Sequence, residues 1–175
     1  MKVILNANQI EAALSDLTNR IAEQVSSNVD IAIIGIRSRG EILAKRLSNS
    51  LSSKLGKSIP YGTLDITLYR DDLNDPHGED QPTVRSTVIP FDISEKIIIL
   101  VDDVLYTGRS TRAAMDALID FGRPKAIRLA VLVDRGHREV PIQADYIGCK
   151  VDIAPGQSVE VNLVDTDDKD QVIVK

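Results

Sequence analysis

Two adjacent carboxylates, Asp102 and Asp103, close the apolar run IIILV at 97–101, and the segment TGRST follows at 107–111. A run of this length suits a buried strand, which puts the carboxylates at its carboxyl end, where an open α/β sheet binds ligands. The loop LYTGRST then enters a helical pattern, so backbone N–H groups of Thr107 to Thr111 can converge on an anion at the helix N-terminus. Gly108 allows close approach of the backbone, and the hydroxyls of Thr107, Ser110 and Thr111 add donors. Carboxylates would repel a phosphate but suit sugar hydroxyls, which donate to them. The combination predicts a ribose 5-phosphate ligand. On its own, an Asp-Asp pair would equally begin a turn, with Ser110 or Thr111 an ordinary helix cap.

The surrounding chain supplies elements to position such a site. Residues 8–25 read as an amphipathic helix opened by a capping box, Asn8 with Glu11. IAIIGI at 31–36 reads as a buried strand, and Leu43, Leu47, Leu51 and Leu55 mark a helix face ending at Gly56. TLDITLY at 63–69 alternates like a half-buried strand, and the polar stretch 70–86, with Pro76, Gly78 and Pro82, reads as a long surface loop. A helix through Ala114, Met115, Leu118 and Phe121 stops at Gly122 and Pro124, and a further buried strand spans 126–133. YIGC, SVEVNLV and QVIVK are short β pieces. Alternating strands and helices predict an α/β domain with a largely parallel sheet.

At 175 residues and 43% hydrophobic content, one domain over 1–175 is expected. The net charge of −5 argues against a strongly basic nucleic-acid binder, though local basic patches remain open. A single cysteine, Cys149, forms no internal disulfide. The apolar stretch before Asn6 is too short for a signal peptide, and no segment approaches the roughly 18 apolar residues of a membrane span, so a soluble cytoplasmic protein is expected. Gly35 and Gly40 have P-loop spacing but Glu41 follows, and no G-x-G-x-x-G occurs, which disfavours ATP hydrolysis and NAD binding.

IIILVDDVLYTGRST resembles the phosphoribosyl-pyrophosphate (PRPP) signature of type I phosphoribosyltransferases. More narrowly, DITLYRDDL (65–73), LVDDVLYTGR (100–109), MDALIDFGRP (115–124) and LAVLVDRGHREVPIQADYIG (129–148) resemble the PyrR family of bacterial pyrimidine-operon regulators with uracil phosphoribosyltransferase activity. The similarity runs in order over almost the whole chain. It implies the type I phosphoribosyltransferase fold: a mostly parallel sheet flanked by helices, with a flexible loop and a small hood.

Residue by residue, the resemblance implies that Asp102 and Asp103 address ribose hydroxyls. Val104, Leu105, Tyr106, Thr107, Gly108, Arg109 and Ser110 then line the PRPP site, with Ser110 standing where Thr is usual. GIRSRG at 35–40 resembles the pyrophosphate loop, placing Ser38 and Arg39 by the leaving group; Asp102, Asp103 and Arg39 are the implied catalytic residues. Such loops often carry a non-proline cis peptide. The 70–86 stretch corresponds to the loop that closes over PRPP, from which Arg70 and Arg85 would reach phosphates, if they are not simply solvated charges. Val133, Asp134, Arg135 and Val159 are the implied base-binding residues, whereas His77 and His137 read as exposed.

The implied cofactor is Mg²⁺, carried with PRPP or pyrophosphate, without assigned protein ligands. Implied partners are PRPP, uracil, UMP and pyrimidine-operon leader RNA, in a homodimer or homotetramer. Ser15, Asp16 and Asn19 depart from the residues of RNA-binding relatives, while Arg20, His137 and Arg138 could form part of a patch. A regulator with vestigial catalysis and a purine phosphoribosyltransferase are the alternatives.

Overall fold

The computed structural model describes residues 1–25, 29–72 and 84–175. Strand β1 (Lys2–Asn6) runs directly into helix α1 (Ala7–Gln24). The capping box lies two residues before the expected one: the Gln9 N–H donates to Asn6 Oδ1 at 3.0 Å and the Asn6 N–H to Gln9 Oε1 at 2.9 Å. Asn6 is also the last paired residue of β1, opposite Gln171, so strand pairing fixes where the helix starts. Ile10, Leu17 and Ile21 form the buried face of α1.

Next come β2 (Ile31–Ile36), α2 (Arg39–Leu55) and β3 (Tyr61–Leu64). All six residues of β2 are buried, as a strand covered on both faces requires. Helix α2 ends where its leucine stripe predicts, with Gly56 in the left-handed conformation at φ 63°. The strand expected over 63–69 is shorter. Asp65 Oδ1 accepts from both the N–H (3.0 Å) and the hydroxyl (2.6 Å) of Thr67, turning the chain into a 3₁₀ turn at Thr67–Tyr69. Leu68, the third apolar residue of the apparent alternation, is 68% exposed.

The chain continues through β4 (Ile97–Leu105), α3 (Arg109–Ile119), β5 (Ala126–Asp134), β6 (Tyr146–Lys150), β7 (Val159–Asn162) and β8 (Gln171–Val174). Five strands make one parallel sheet in the order β3-β2-β4-β5-β6. One face, with Ile33, Val101 and Leu132, packs with Leu17 of α1 and Leu43 and Leu47 of α2. The other, with Ile34, Leu100 and Val131, packs with Ala113, Ala117 and Leu118 of α3. Each fully buried Leu or Ile contributes about 1.5–3 kcal/mol.

A small antiparallel sheet, β1-β8-β7, forms the hood. Arg46 of α2 holds its β7–β8 turn, with Nη1 2.6 Å and Nη2 3.1 Å from the two Asp170 oxygens and a further pair to Asp165. Among the described residues no helix is long and apolar enough to cross a membrane.

Candidate functional site

The loops that follow β2, β4 and β5 share the carboxyl edge of the sheet, and the candidate residues sit on them. Strand β4 runs beyond the expected 97–101 to Leu105, so both carboxylates are carried on the strand, with Asp102 opposite Val131. Asp102 is 9% exposed, and its Oδ1 accepts the Asp103 N–H at 2.9 Å. Burial, with the Asp103 charge beside it, pushes the Asp102 carboxyl well above the usual carboxylate range. Asp103 is half-buried and accepts the Val104 N–H at 2.9 Å.

Between β4 and α3 the backbone turns through Gly108 at φ 89°. A Cβ there would lie 2.8 Å from Val140 Cγ2, so glycine is demanded both by the conformation and by the neighbouring segment. Thr107 Oγ1 accepts the Arg109 N–H at 3.3 Å. The first N–H groups of a helix have no partner within it, and those of α3 start beside an exposed Ser110 and a buried Thr111. Val104 and Leu105 contribute differently: Leu105 is buried in the core on the α3 side of the sheet and Val104 packs on the core of the opposite face, so each offers backbone rather than side chain. Arg109 itself turns outward to Asp71 (2.7 Å) and Glu139 (2.6 Å).

Between β2 and α2 the Arg37–Ser38 peptide is cis. Arg37 is no free surface charge: it reaches Glu41 at 2.9 Å, the Ser86 carbonyl at 2.9 Å and Thr63 Oγ1 at 3.1 Å. Ser38 is exposed, while Arg39 extends to the hood, with Nη2 3.2 and 3.4 Å from the Asp167 oxygens. Gly40 packs α2 directly on β4, since a Cβ would lie 2.6 Å from the Val101 carbonyl oxygen.

The long loop is described only at its stems; His77 and the rest of 73–83 lie outside the described residues. Arg70 pairs with Asp72, its Nε 2.8 Å from Oδ1. Arg85 is exposed, and its backbone N–H donates to Asp65, the same carboxylate that organises the Thr67 turn. Reciprocal 2.8 Å bonds between Thr63 and Val88 pin the second stem to the edge of the sheet.

After β5, Asp134 accepts the Gly136 N–H at 2.9 Å and pairs with Arg138 at 2.7 Å. Burial raises its carboxyl, but Arg138 and the Gly136 N–H outweigh this and hold it below the usual range. Arg135 stacks its guanidinium 3.8 Å over the Tyr106 ring and donates to the Gln157 carbonyl at 3.0 Å. Val133 is fully buried, so as a base neighbour it offers only main chain. Val159 sits on β7, half-buried, two residues beyond Gln157. His137 is exposed at φ 58°.

The base-side segment is stitched to the cradle. The Thr107 carbonyl accepts from the N–H groups of Glu139 (2.9 Å) and Val140 (3.2 Å), and the Leu105 carbonyl from Arg135 N–H at 3.0 Å. Arg138 completes the join through the carbonyls of Tyr106 (2.9 Å), Gly136 (3.3 Å) and Ile142 (3.0 Å). Sequence reasoning had no signal for this use of Arg138, nor for Asp167, because their partners lie on other loops.

A family model described as a phosphoribosyl transferase domain matches residues 2–171. The protein "Bifunctional protein PyrR" of Deinococcus radiodurans is 52% identical over 169 residues, covering 97% of this chain and 91% of that one. Its namesake in Bacillus cereus is 48% identical over 172 residues, covering 98% and 96%. Among solved structures, the hypoxanthine phosphoribosyltransferase of Trypanosoma cruzi in complex with IMP aligns with a TM-score of 0.73 over 99% of this chain and 92% of that one. At 16% identity that likeness speaks for the fold alone. The chain belongs to the phosphoribosyltransferase family and, within it, to the PyrR proteins.

Proposed function

We propose that this chain transfers the phosphoribosyl group of PRPP to uracil, joining uracil N1 to ribose C1 and expelling pyrophosphate to give UMP. The observation that carries the reading is the convergence, at one sheet edge, of the Thr107–Thr111 cradle, the 37–40 loop and the 133–138 segment stitched to the cradle. In this reading the 5-phosphate sits on the N–H groups and hydroxyls of Thr107 to Ser110, and Asp102 and Asp103 hold the ribose hydroxyls. Ser38 and Arg39 face the pyrophosphate. Main-chain groups of the 133–138 loop that strand pairing and the join leave free would match the acceptor-donor-acceptor edge of uracil, with the Arg135–Tyr106 stack and Val159 closing that side.

Departure of pyrophosphate leaves oxocarbenium character on the ribose and negative charge on the leaving group. Preorganised charge answers both, and no covalent nucleophile is needed. Asp103, half-buried beside the phosphate cradle, fits Mg²⁺, which takes one or two carboxylates and completes its shell with phosphate oxygens and water. When bound, the ion would neutralise charge on the leaving pyrophosphate. In this reading water is kept from C1 by closure of the 70–86 stretch, of which 73–83 lie outside the described residues.

Pyrophosphate release from PRPP with uracil, hypoxanthine or orotate tests the reading: turnover is expected with uracil, and turnover with hypoxanthine alone would overturn it. The relatives' description as bifunctional favours a second activity, UMP-dependent binding of pyrimidine-operon leader RNA. A gel shift with the host's own leader checks it, and no UMP-dependent shift at low salt counts against it. The family resemblance supports a homodimer or homotetramer, read by light scattering.

A further inference from the structure

We propose that Asp167, in the turn between β7 and β8, is a positioning residue that holds the Arg39 guanidinium against the leaving pyrophosphate. The inference rests on the transferase reading above and adds a hood residue to that site.

Arg39 opens α2 immediately after the cis peptide, yet its side chain crosses to the hood instead of extending into solvent. The two side chains are 31% and 22% exposed, and Arg39 Nε is buried with no partner. Both Asp167 contacts fall on Nη2, which leaves the Nη1 side for an anion. A free arginine carries about 2 kcal/mol of rotamer entropy, so a fixed counter-ion matters for a group that must meet a phosphate in one geometry.

Asp167 is itself fixed. Its Oδ2 accepts the Leu163 N–H at 2.9 Å and the Thr166 hydroxyl at 3.1 Å, and its own N–H donates to the Leu163 carbonyl. Three residues on, Asp170 accepts the Val164 N–H at 2.7 Å and both Arg46 nitrogens. Helix α2 therefore grips the turn at Arg46, and the turn returns a carboxylate to Arg39 two helical turns earlier. Glu160 is the other hood carboxylate whose charge acts on Arg39, but Lys175 and Asn162 already engage it.

The test compares Asp167→Asn with wild type. Asparagine keeps an acceptor for Leu163 and Thr166 but turns its Nδ2 donor toward Arg39, so both the charge and the acceptor that hold the guanidinium are lost. Calorimetric affinity for PRPP, measured without base, should fall about 5- to 20-fold, between the worth of an exposed ion pair and that of a charge-assisted hydrogen bond. KM for PRPP should rise in parallel and kcat should fall with it, because Arg39 meets charge that grows on the leaving pyrophosphate, while KM for uracil stays within about twofold. Asp167→Glu should recover part of the loss. On an Arg39→Met background, which removes the cation, the same change should cost almost nothing more, because the two act as one unit.

Unchanged PRPP affinity in Asp167→Asn, or a full additional loss on Arg39→Met, overturns the proposal. So does a loss shared equally by uracil and thermal stability, which would mark a bridge of structure only. Wild-type protein that binds no PRPP would instead remove the transferase reading on which the proposal stands.

Discussion

A methyl group added at Gly40 would lie 2.6 Å from the Val101 carbonyl oxygen and 3.2 Å from Asp102 Cα. Both atoms are backbone of β4, so no side chain can swing aside. Restoring even a short carbon–oxygen contact of about 3.3 Å requires the first turn of α2 and β4 to separate by about 0.7 Å (3.3 − 2.6). Ser38 and Arg39 travel with that turn, while Asp102 and Asp103 stay with the strand. Overpacking costs about 1–3 kcal/mol, and alanine in a helix returns up to about 1 kcal/mol, so Gly40→Ala should lose about 0–2 kcal/mol of stability. Activity should suffer more: misplacement approaching 1 Å costs up to about 100-fold, so kcat/KM for PRPP is expected to fall about 10- to 100-fold. Urea melts and steady-state kinetics with varied PRPP measure the two losses. Gly56→Ala is the control, since its Cβ meets nothing within 4 Å and the site is distant in the chain, but φ is 63°. It should cost about 1–2 kcal/mol and leave kcat/KM alone. Gly40→Ala with kcat/KM within twofold of wild type would refute the claim that this contact sets the spacing of the two halves of the site.

Asp102→Asn should stabilise the fold while reducing kcat. The folded state binds the Asp102 proton more tightly than the unfolded chain does, so this group's contribution is full below the unfolded value of about 3.9 and is lost as pH rises through the folded value. Thermal melts should therefore show the variant ahead at pH 7 to 8 and the gap closing toward pH 4; a pH-independent gap would contradict the assignment. Arg138→Met should do the reverse, destabilising by about 3–5 kcal/mol at neutral pH because it leaves the nearly buried Asp134 carboxylate unpaired. Asp134 is held low in the folded state, so its contribution is present above about pH 3.9 and lost as pH falls through the folded value, and the Arg138→Met deficit should shrink on acidification. KM for uracil should rise more than KM for PRPP in that variant; equal rises would count against a base-side role for the join.

The parallel strands were legible because burial on both faces writes them as continuous apolar runs: β2, β4 and β5 all announce themselves in this way. β1 was not, since Val3 is 53% exposed and the strand exists only through a partner some 170 residues away. That same pairing chose Asn6 over Asn8 as the helix cap, although both carry the pattern. At 63–69 the apolar alternation was real, but Asp65 offered the backbone a closer acceptor than a neighbouring strand could. The site divides along the same line. Residues 102–110 form a contiguous motif whose chemistry follows from residue type, whereas Asp167 and Arg138 act across loops, and no local pattern records that.

The join at Arg138 also constrains any RNA-binding surface. Its guanidinium already donates to Asp134, Tyr106, Gly136 and Ile142, and Arg20 is committed to the carbonyls of Ile147 and Asp145 and to Asp16. An RNA phosphate that drew Arg138 away from Tyr106 and Asp134 would loosen the cradle and strand a nearly buried carboxylate. Binding through Arg138 would therefore oppose turnover. An RNA surface compatible with an intact site has to draw on exposed groups such as His137 and the outer face of α1, where Asp16 repels phosphate. Changing Asp16 to Asn should then strengthen leader-RNA binding at low salt without altering PRPP kinetics, as a gel shift run beside the transferase assay would record. If the same change altered KM for PRPP, Asp16 on α1 and the loops at the carboxyl edge of the sheet would not act as separate surfaces.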